Sequence, residues 1–224
     1  MKRIYKFSIS ILFILCSLLS YSQQADTVKA QKTLGLGFDL AGPAMYFIDT
    51  TKYSFEAHLA YRLNYKYFIV VEPGYSGFNT SNYNYEYNCS GVFIRVGADI
   101  SLLEPEALKI NHFAGIGLRY GIAVFNQETP MLITENYWGE FNTPVEKNNI
   151  NAHFFELQGG VKAELFKNFL MGWSVKLRTM IYSSGKQGQR PIYIPGMGKT
   201  DRFITANISY YLIYRIPFSS ASGE

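Results

Sequence analysis

The stretch AGIGLRYGIAV, residues 114–124, decides the fold class of this 224-residue chain. Every second residue from Ala114 to Val124 is apolar, and the intervening positions hold three glycines, Arg119 and Ala123. Alternation with a period of two is the pattern of a β-strand whose two faces meet different surroundings. One face of this strand is bulky and apolar, whereas the other is polar and carries little side-chain volume.

Seven further runs alternate in the same way, which predicts an all-β protein with eight antiparallel strands. These runs span residues 33–41, 53–64, 67–76, 91–100, 155–165, 169–181 and 204–218. The composition agrees, because 18 Tyr and 17 Phe favour strands and 19 Gly favour turns and tight interiors. After the N-terminal segment no stretch has 18 continuous apolar residues, so the sequence predicts no transmembrane helix.

The charged residues within these runs all fall on the polar faces, together with most of the glycines. An eight-stranded barrel is barely wide enough inside for side chains, so long charged residues there need glycine neighbours. We therefore predict a candidate charge network in the lumen of a barrel. Its members are Asp39, Glu56, Arg62, Glu72, Arg95, Asp99, Arg119, Glu156, Lys162, Glu164, Lys176, Arg178 and Arg215.

The alternation alone fits two kinds of barrel. A soluble lipocalin-like barrel turns its apolar face inwards, whereas an outer-membrane barrel turns it towards lipid. The bulk of the apolar face and the aromatic residues near the ends of the runs favour the membrane form. Long and short links also alternate along the chain, as extracellular loops and periplasmic turns do. The predicted fold is an eight-stranded antiparallel up-and-down transmembrane β-barrel in the cell outer membrane.

The N-terminus has the composition of an export signal. Lys2, Arg3 and Lys6 precede an apolar run over residues 7–19, and small residues follow at the usual cleavage spacing. We expect a signal peptide at 1–22, a short periplasmic segment at 23–32, the barrel at 33–218 and a tail at 219–224.

Removal of this signal changes the charge and cysteine totals. The signal carries three of the 21 Lys and Arg and none of the 17 Asp and Glu, which leaves 18 bases against 17 acids. A net charge this close to zero predicts no nucleic-acid partner. Cys89 is the single cysteine left, which excludes an intramolecular disulfide.

The C-terminal part of the chain carries a family resemblance. The last run ends YRIPF, residues 214–218, an alternating aromatic terminus typical of proteins inserted by the barrel-assembly machinery, and PIYIPGMGKTDRF, residues 191–203, precedes that run. The chain resembles an uncharacterised family of small gram-negative outer-membrane β-barrel proteins and, in outline, the eight-stranded OmpA/OmpX-type barrels. The resemblance implies outer-membrane lipid and the assembly machinery as partners, and it implies no activity.

Motifs for chemistry are sparse. Some outer-membrane barrels modify lipid with a Ser/His pair near the outer rim; His153 alone has a suitable height, and no serine follows it nearby. His58 falls on the polar face and His112 near the periplasmic end of a strand. A phosphate-binding loop ending in residues 196–200 would need a glycine five residues before Gly198, and that position is Tyr193. We expect residues 196–200 in an external loop. We predict no catalytic, cofactor or metal site.

The segment 126–150 is a candidate surface for an extracellular partner, because it combines Tyr137, Trp138 and Phe141 with several glutamates. A loop folded over the barrel mouth is the alternative. The expected role is structural or surface interaction, with a lipid-modifying enzyme as the main alternative and a periplasmic lipocalin-like binder as the soluble one. A porin-like channel is disfavoured, because eight strands leave no open pore.

Overall fold

The computed structural model describes the predicted barrel region almost completely. The described residues are 32–103, 112–136, 139–142, 144–185 and 191–218. The predicted signal peptide, the adjoining segment up to residue 31 and the tail 219–224 lie outside the described residues. Tyr137 and Trp138 lie outside them as well.

Eight long strands form the main sheet. Their bounds are β1 Thr33–Asp39, β2 Lys52–Arg62, β3 Tyr67–Ser81, β4 Tyr85–Ser101, β5 Phe113–Asn136, β7 Val145–Phe166, β8 Phe169–Ser183 and β11 Thr205–Pro217. Four short elements lie between them: α1 Ala41–Ile48, β6 Gly139–Asn142, β9 Tyr193–Ile194 and β10 Gly198–Lys199. No helix within the described part of the chain has the length and apolar character needed to cross a bilayer.

The long strands close into a ring. Each pairs antiparallel with the strands before and after it, in the order β1-β2-β3-β4-β5-β7-β8-β11. β11 returns to pair with β1 along the whole length of β1, with Leu36 opposite Tyr214. The predicted eight-stranded antiparallel up-and-down barrel is therefore confirmed, because each long strand pairs with two neighbours.

The apolar face of the barrel points outwards. Leu118 of β5, Val175 of β8 and Ile208 of β11 expose 58, 40 and 69% of their surfaces. Arg95 of β4 and Arg119 of β5 lie on the other face of their strands and expose 0 and 1% of their surfaces. Strand alternation sends successive side chains to opposite faces, so the whole apolar set lies outside. The lipocalin-like arrangement, with this set inside, is wrong for this chain.

The two ends of the barrel differ. The first and last strands begin and end at what we call the termini end, where the links 63–66 and 167–168 and the paired ends of β4 and β5 also lie. At the opposite, loop end, β3, β4, β5 and β7 stay paired beyond the outward apolar positions. We call this extension the wall. It comprises residues 77–90, 125–136 and 145–151, and its outward residues include Asn79, Asn88, Asn126 and Asn149.

The wall corrects two predictions about links. Residues 126–150, predicted as one long loop, belong mainly to β5, β6 and β7, and the link between β3 and β4 is only 82–84. Since the link 102–112 at the other end is longer, long and short links do not alternate strictly. Backbone pairing continues where the apolar alternation stops, because outward residues of the wall do not have to be apolar.

The hairpin β9–β10 folds into the barrel from the loop end, which corrects the prediction that residues 196–200 form an external loop. Ile194 and Met197 are 0 and 1% exposed. The tight turn uses two glycines with positive φ, Gly196 at 75° and Gly198 at 111°. Gly196 also lies against the Phe93 ring, where any side chain would collide.

Candidate functional site

Most of the predicted lumen charges are buried. Ten of the thirteen are buried, and Lys162, Glu164 and Arg215 are half-buried. Nine of the thirteen form one connected set of ion pairs, which we call the central cluster. Its members are Glu56, Glu72, Arg95, Asp99, Arg119, Glu156, Lys162, Lys176 and Arg178.

Two arginines on neighbouring strands join the carboxylates of the central cluster. Arg95 of β4 pairs with Glu56, with Glu72 at 3.1 Å and with Glu156 at 2.7 Å. Arg119 of β5 pairs with Glu156 at 2.9 Å, with Asp99 at 3.1 Å and with Glu72 at 3.4 Å. Because each guanidinium carries five donors in a planar fork, one arginine can bind several carboxylates at once.

Strand register gives these long side chains their space. Arg95 lies opposite Gly121, and Arg119 lies opposite Gly97 in the adjacent strand. Lys162 likewise faces Gly172 across the β7–β8 pair. Glycine at these positions leaves the narrow lumen free for the guanidinium and ammonium groups.

Three further side chains contribute hydrogen bonds to the cluster. His58 Nδ1 lies 2.8 Å from Glu72, Gln158 donates to Asp99 at 3.0 Å, and the Tyr211 hydroxyl donates to Glu56 at 3.0 Å. Sequence reasoning on charged residues alone did not include them in the network. The alternation could have identified them, because all three occupy polar-face positions of their runs.

The other four predicted members lie apart from the central cluster. Asp39 is nearer the loop end, where its carboxylate accepts the Ala41 and Tyr210 amide N–H groups. Arg62, Glu164 and Arg215 lie towards the termini end. There the Arg62 guanidinium is 5.6 Å from the Phe68 ring and Glu164 accepts the Asn168 amide.

An apolar layer fills the lumen between the central cluster and the loop end. It consists of the hairpin residues Tyr193, Ile194 and Met197 packed on lumen-facing apolar residues of the strands. The strand residues are Phe78, Tyr87, Cys89, Phe93, Ala123, Phe125, Ile150, Ala152 and Phe154. Burial of these apolar side chains away from water favours the inward position of the hairpin.

Polar contacts fix the hairpin at Gly196 and Met197 of its turn. Arg95 donates to the Gly196 carbonyl and Arg178 to the Met197 carbonyl, each at 3.4 Å. The Gly196 amide donates to the Ser76 hydroxyl at 3.1 Å. The central cluster thus holds the hairpin, and the hairpin covers the cluster.

A cavity of about 330 Å³ lies beside the hairpin at the loop end. α1, the ends of β1, β2 and β11, and the hairpin surround it. Its polar lining comprises Asp39, Lys52, Tyr53, Ser54, Glu56, Arg178, Lys199, Thr205, Asn207 and Ser209. The cavity therefore connects the loop end with Glu56 and Arg178 of the central cluster.

The three histidines lie in separate parts of the barrel. His153 is on the outward face of β7, where its Nδ1 lies 2.8 Å from the Tyr120 hydroxyl and its ring contacts Tyr182. His112 accepts the Glu164 amide at 3.3 Å. The described residues contain no group of three or more His, Cys, Asp and Glu side chains placed to hold a metal ion.

Comparison with known proteins places the chain in a family. The model of the family described as "Domain of unknown function (DUF6048)" matches residues 4–221, so the chain belongs to that family. No curated protein matches the sequence.

Several solved structures are similar to this chain. A major outer membrane protein from Thermus thermophilus is 9% identical, with a TM-score of 0.45 over 85% of this chain and 100% of that one. Acinetobacter baumannii CarO2 is 10% identical, with a TM-score of 0.35 over 85% and 100% of the two chains. CarO of the same species is 10% identical, with a TM-score of 0.33 over 87% and 100%.

Proposed function

We propose that this member of the family is an integral outer-membrane barrel with a closed lumen, which holds the wall outside the cell as a surface for an extracellular partner. One observation carries the proposal. The outward face of the ring is apolar on every strand, while the charged residues are sheltered in the lumen. Lipid is the surrounding that stabilises this arrangement.

The size of the apolar face supports a membrane location. Soluble monomers rarely expose a continuous apolar patch larger than a few hundred Å². Here exposed Leu, Ile, Val and aromatic residues follow one another around the ring. Aromatic pairs lie at both ends of this face, Phe169–Tyr214 at the termini end and Tyr53–Tyr75 towards the loop end. Such girdles are typical of the two lipid–water boundaries.

The contents of the lumen support a role other than conduction. The central cluster fills the middle of the barrel, and the hairpin with its apolar layer fills the part above it. An ion entering this barrel would have to displace paired, buried charges, which is energetically costly.

The wall supports a role in surface interaction. Its outward side carries amide and hydroxyl groups, such as those of Asn79, Ser90 and Asn126. Residues 145–150 pair with β5 on one side, whereas the pairing of β7 with β8 begins only at Ala152. A sheet edge of this kind can accept a strand from a partner.

A charged substitution on the outward face tests the membrane location. Leu118→Arg places a guanidinium in the apolar face of β5, and at mid-bilayer this costs about 2–4 kcal/mol of folding free energy. Asn126→Arg, on the same face of the same strand but in the wall, is the matched control and should cost about 0–1 kcal/mol. Unfolding by guanidinium chloride in lipid vesicles measures both. Equal, small effects would contradict the membrane location.

Chemical labelling in intact cells tests which end is outside. We expect Asn126→Cys in the wall to react with a membrane-impermeant maleimide, and Lys66→Cys in the turn at the termini end to react only after lysis. The native Cys89 is 2% exposed and should stay unlabelled in both. The reverse pattern would show that the wall faces the periplasm, and the proposed surface role would then be abandoned.

A further inference from the structure

Asp39 differs from the other buried carboxylates of the described chain. Glu56, Glu72, Asp99 and Glu156 each have at least one Arg or Lys nitrogen within 4.0 Å. Asp39 is 6% exposed, and among the described residues no cation lies within that distance. A buried carboxylate is ordinarily paired, because burial of a charge without a partner is costly.

The hydrogen bonds of Asp39 leave one oxygen available. Oδ1 accepts the Ala41 amide at 2.9 Å and the Tyr210 amide at 3.0 Å. Oδ2 has no hydrogen bond to a described residue. Lys176 lies in the same part of the lumen, but its ammonium is bonded to Glu56 at 2.8 Å and to Glu72 at 3.4 Å. The two backbone amides therefore fix the carboxylate, and its second oxygen remains free to accept a donor.

Asp39 lines the cavity described above, and Glu56 lines it as well. Among the charged residues of the inner lining, Glu56 is paired with Lys176 and Arg178 is paired with Glu156, so Asp39 is the one left without an ion pair to a described residue. The hydroxyls of Ser54 and Ser209 line the same cavity. Its volume of about 330 Å³ is at the lower end of the roughly 300–1,000 Å³ found for small-molecule sites. The cavity suits a compact ligand that brings its own positive charge.

We infer that this cavity binds a small organic molecule through a protonated amine, which pairs with Asp39. The amine donates to Oδ2, and the remaining donors reach the neighbouring hydroxyls. Lys199 at the cavity lining has no carboxylate within 4.0 Å among the described residues and lies 5.3 Å from the Phe78 ring. An acidic group on the same ligand would find its counter-charge there. The inference does not depend on the proposed location or surface role, since it concerns the folded barrel alone.

Three ligands of equal length test the inference on the full chain folded in detergent. n-Butylamine, 1-butanol and butyrate differ only in the polar end, and calorimetric titration compares their binding. We expect butylamine to bind at least tenfold more tightly than the other two. Equal binding of all three, or no binding of butylamine at millimolar concentration, would overturn the inference.

Matched variants locate the binding. Asp39→Asn keeps the acceptor for the two backbone amides and removes the charge, so butylamine binding should weaken at least tenfold and the preference over butanol should disappear. Asp201→Asn, an exposed carboxylate outside the cavity, should leave binding unchanged. Unchanged binding in Asp39→Asn would refute the site.

A second variant tests the cavity without changing Asp39, in case Asp39→Asn does not fold. Met45 lines the cavity and is 50% exposed, so a larger side chain there does not disturb a packed core. Met45→Trp should narrow the entrance, weaken butylamine binding at least threefold and change its indole fluorescence when the ligand is added. Wild-type affinity with unchanged fluorescence would place the ligand elsewhere.

Discussion

At the scale of single residues, Glu156 holds three cations of the central cluster together. Its carboxylate pairs with Arg95 and Arg178, each at 2.7 Å, and with Arg119 at 2.9 Å, and it is 0% exposed. A buried ion pair contributes less than its Coulomb attraction suggests, because both charges lose their hydration. Loss of one partner is different, since the other charge is then left buried and uncompensated.

We predict that Glu156→Gln lowers the free energy of unfolding by about 3–5 kcal/mol, because three buried cations then share one fewer carboxylate. Guanidinium chloride unfolding in vesicles, monitored by fluorescence and gel mobility, measures the loss. Lys52→Gln is the control, because its pair with Asp49 is partly exposed and should contribute less than about 1 kcal/mol. Similar losses in the two variants would contradict the structural importance of the cluster.

At the scale of strands, the pairing of β4 with β5 depends on glycine facing arginine. A methyl group on Gly97 would meet the Leu118 carbonyl oxygen and the Arg119 Cα, which are backbone atoms and cannot rotate away. At Gly159, on the outward face of β7, a methyl group would meet nothing within 4 Å. Two strand glycines of the same chain should therefore respond differently to the addition of a side chain.

We predict that Gly97→Ala destabilises the barrel by about 1–3 kcal/mol, as overpacking of a filled interior does. Gly159→Ala should be neutral or stabilising by up to about 1 kcal/mol, because it restricts the unfolded chain without a collision. Unfolding midpoints of the two variants under identical conditions give the comparison. A neutral Gly97→Ala would show that the lumen has more room than the register indicates.

At the scale of the whole molecule, two layers block the lumen in series. The hairpin occupies the part near the loop end, and the central cluster occupies the middle. We predict that the purified protein gives no stepwise conductance in planar bilayers. We also predict none after replacement of residues 192–199 by a Gly/Ser linker, because the paired charges below the hairpin remain. Regular openings in the wild-type protein would contradict a closed barrel.

The sequence predicted the ring and its faces because both follow from local geometry. Strand side chains alternate, so Leu118 and Arg119 must point to opposite sides whatever the rest of the chain does. The sequence also placed the lumen charges on the correct face. The same alternation along the strands would have assigned Gln158 and Tyr211 to the lumen network. It failed at Phe93 and Phe125, which are apolar at lumen positions. Nothing local to those residues indicates the hairpin that packs against them.

Which groups meet inside the barrel was decided by tertiary structure alone. Lys176 and Glu56 are 120 residues apart in the chain, and Arg95 and Gly196 are 101 apart. The inward fold of residues 193–199 and the isolation of Asp39 beside an open cavity depend on such contacts as well. Alternation along each strand fixes the direction of a side chain, whereas its partner depends on strand register, ring closure and the path of a distant segment.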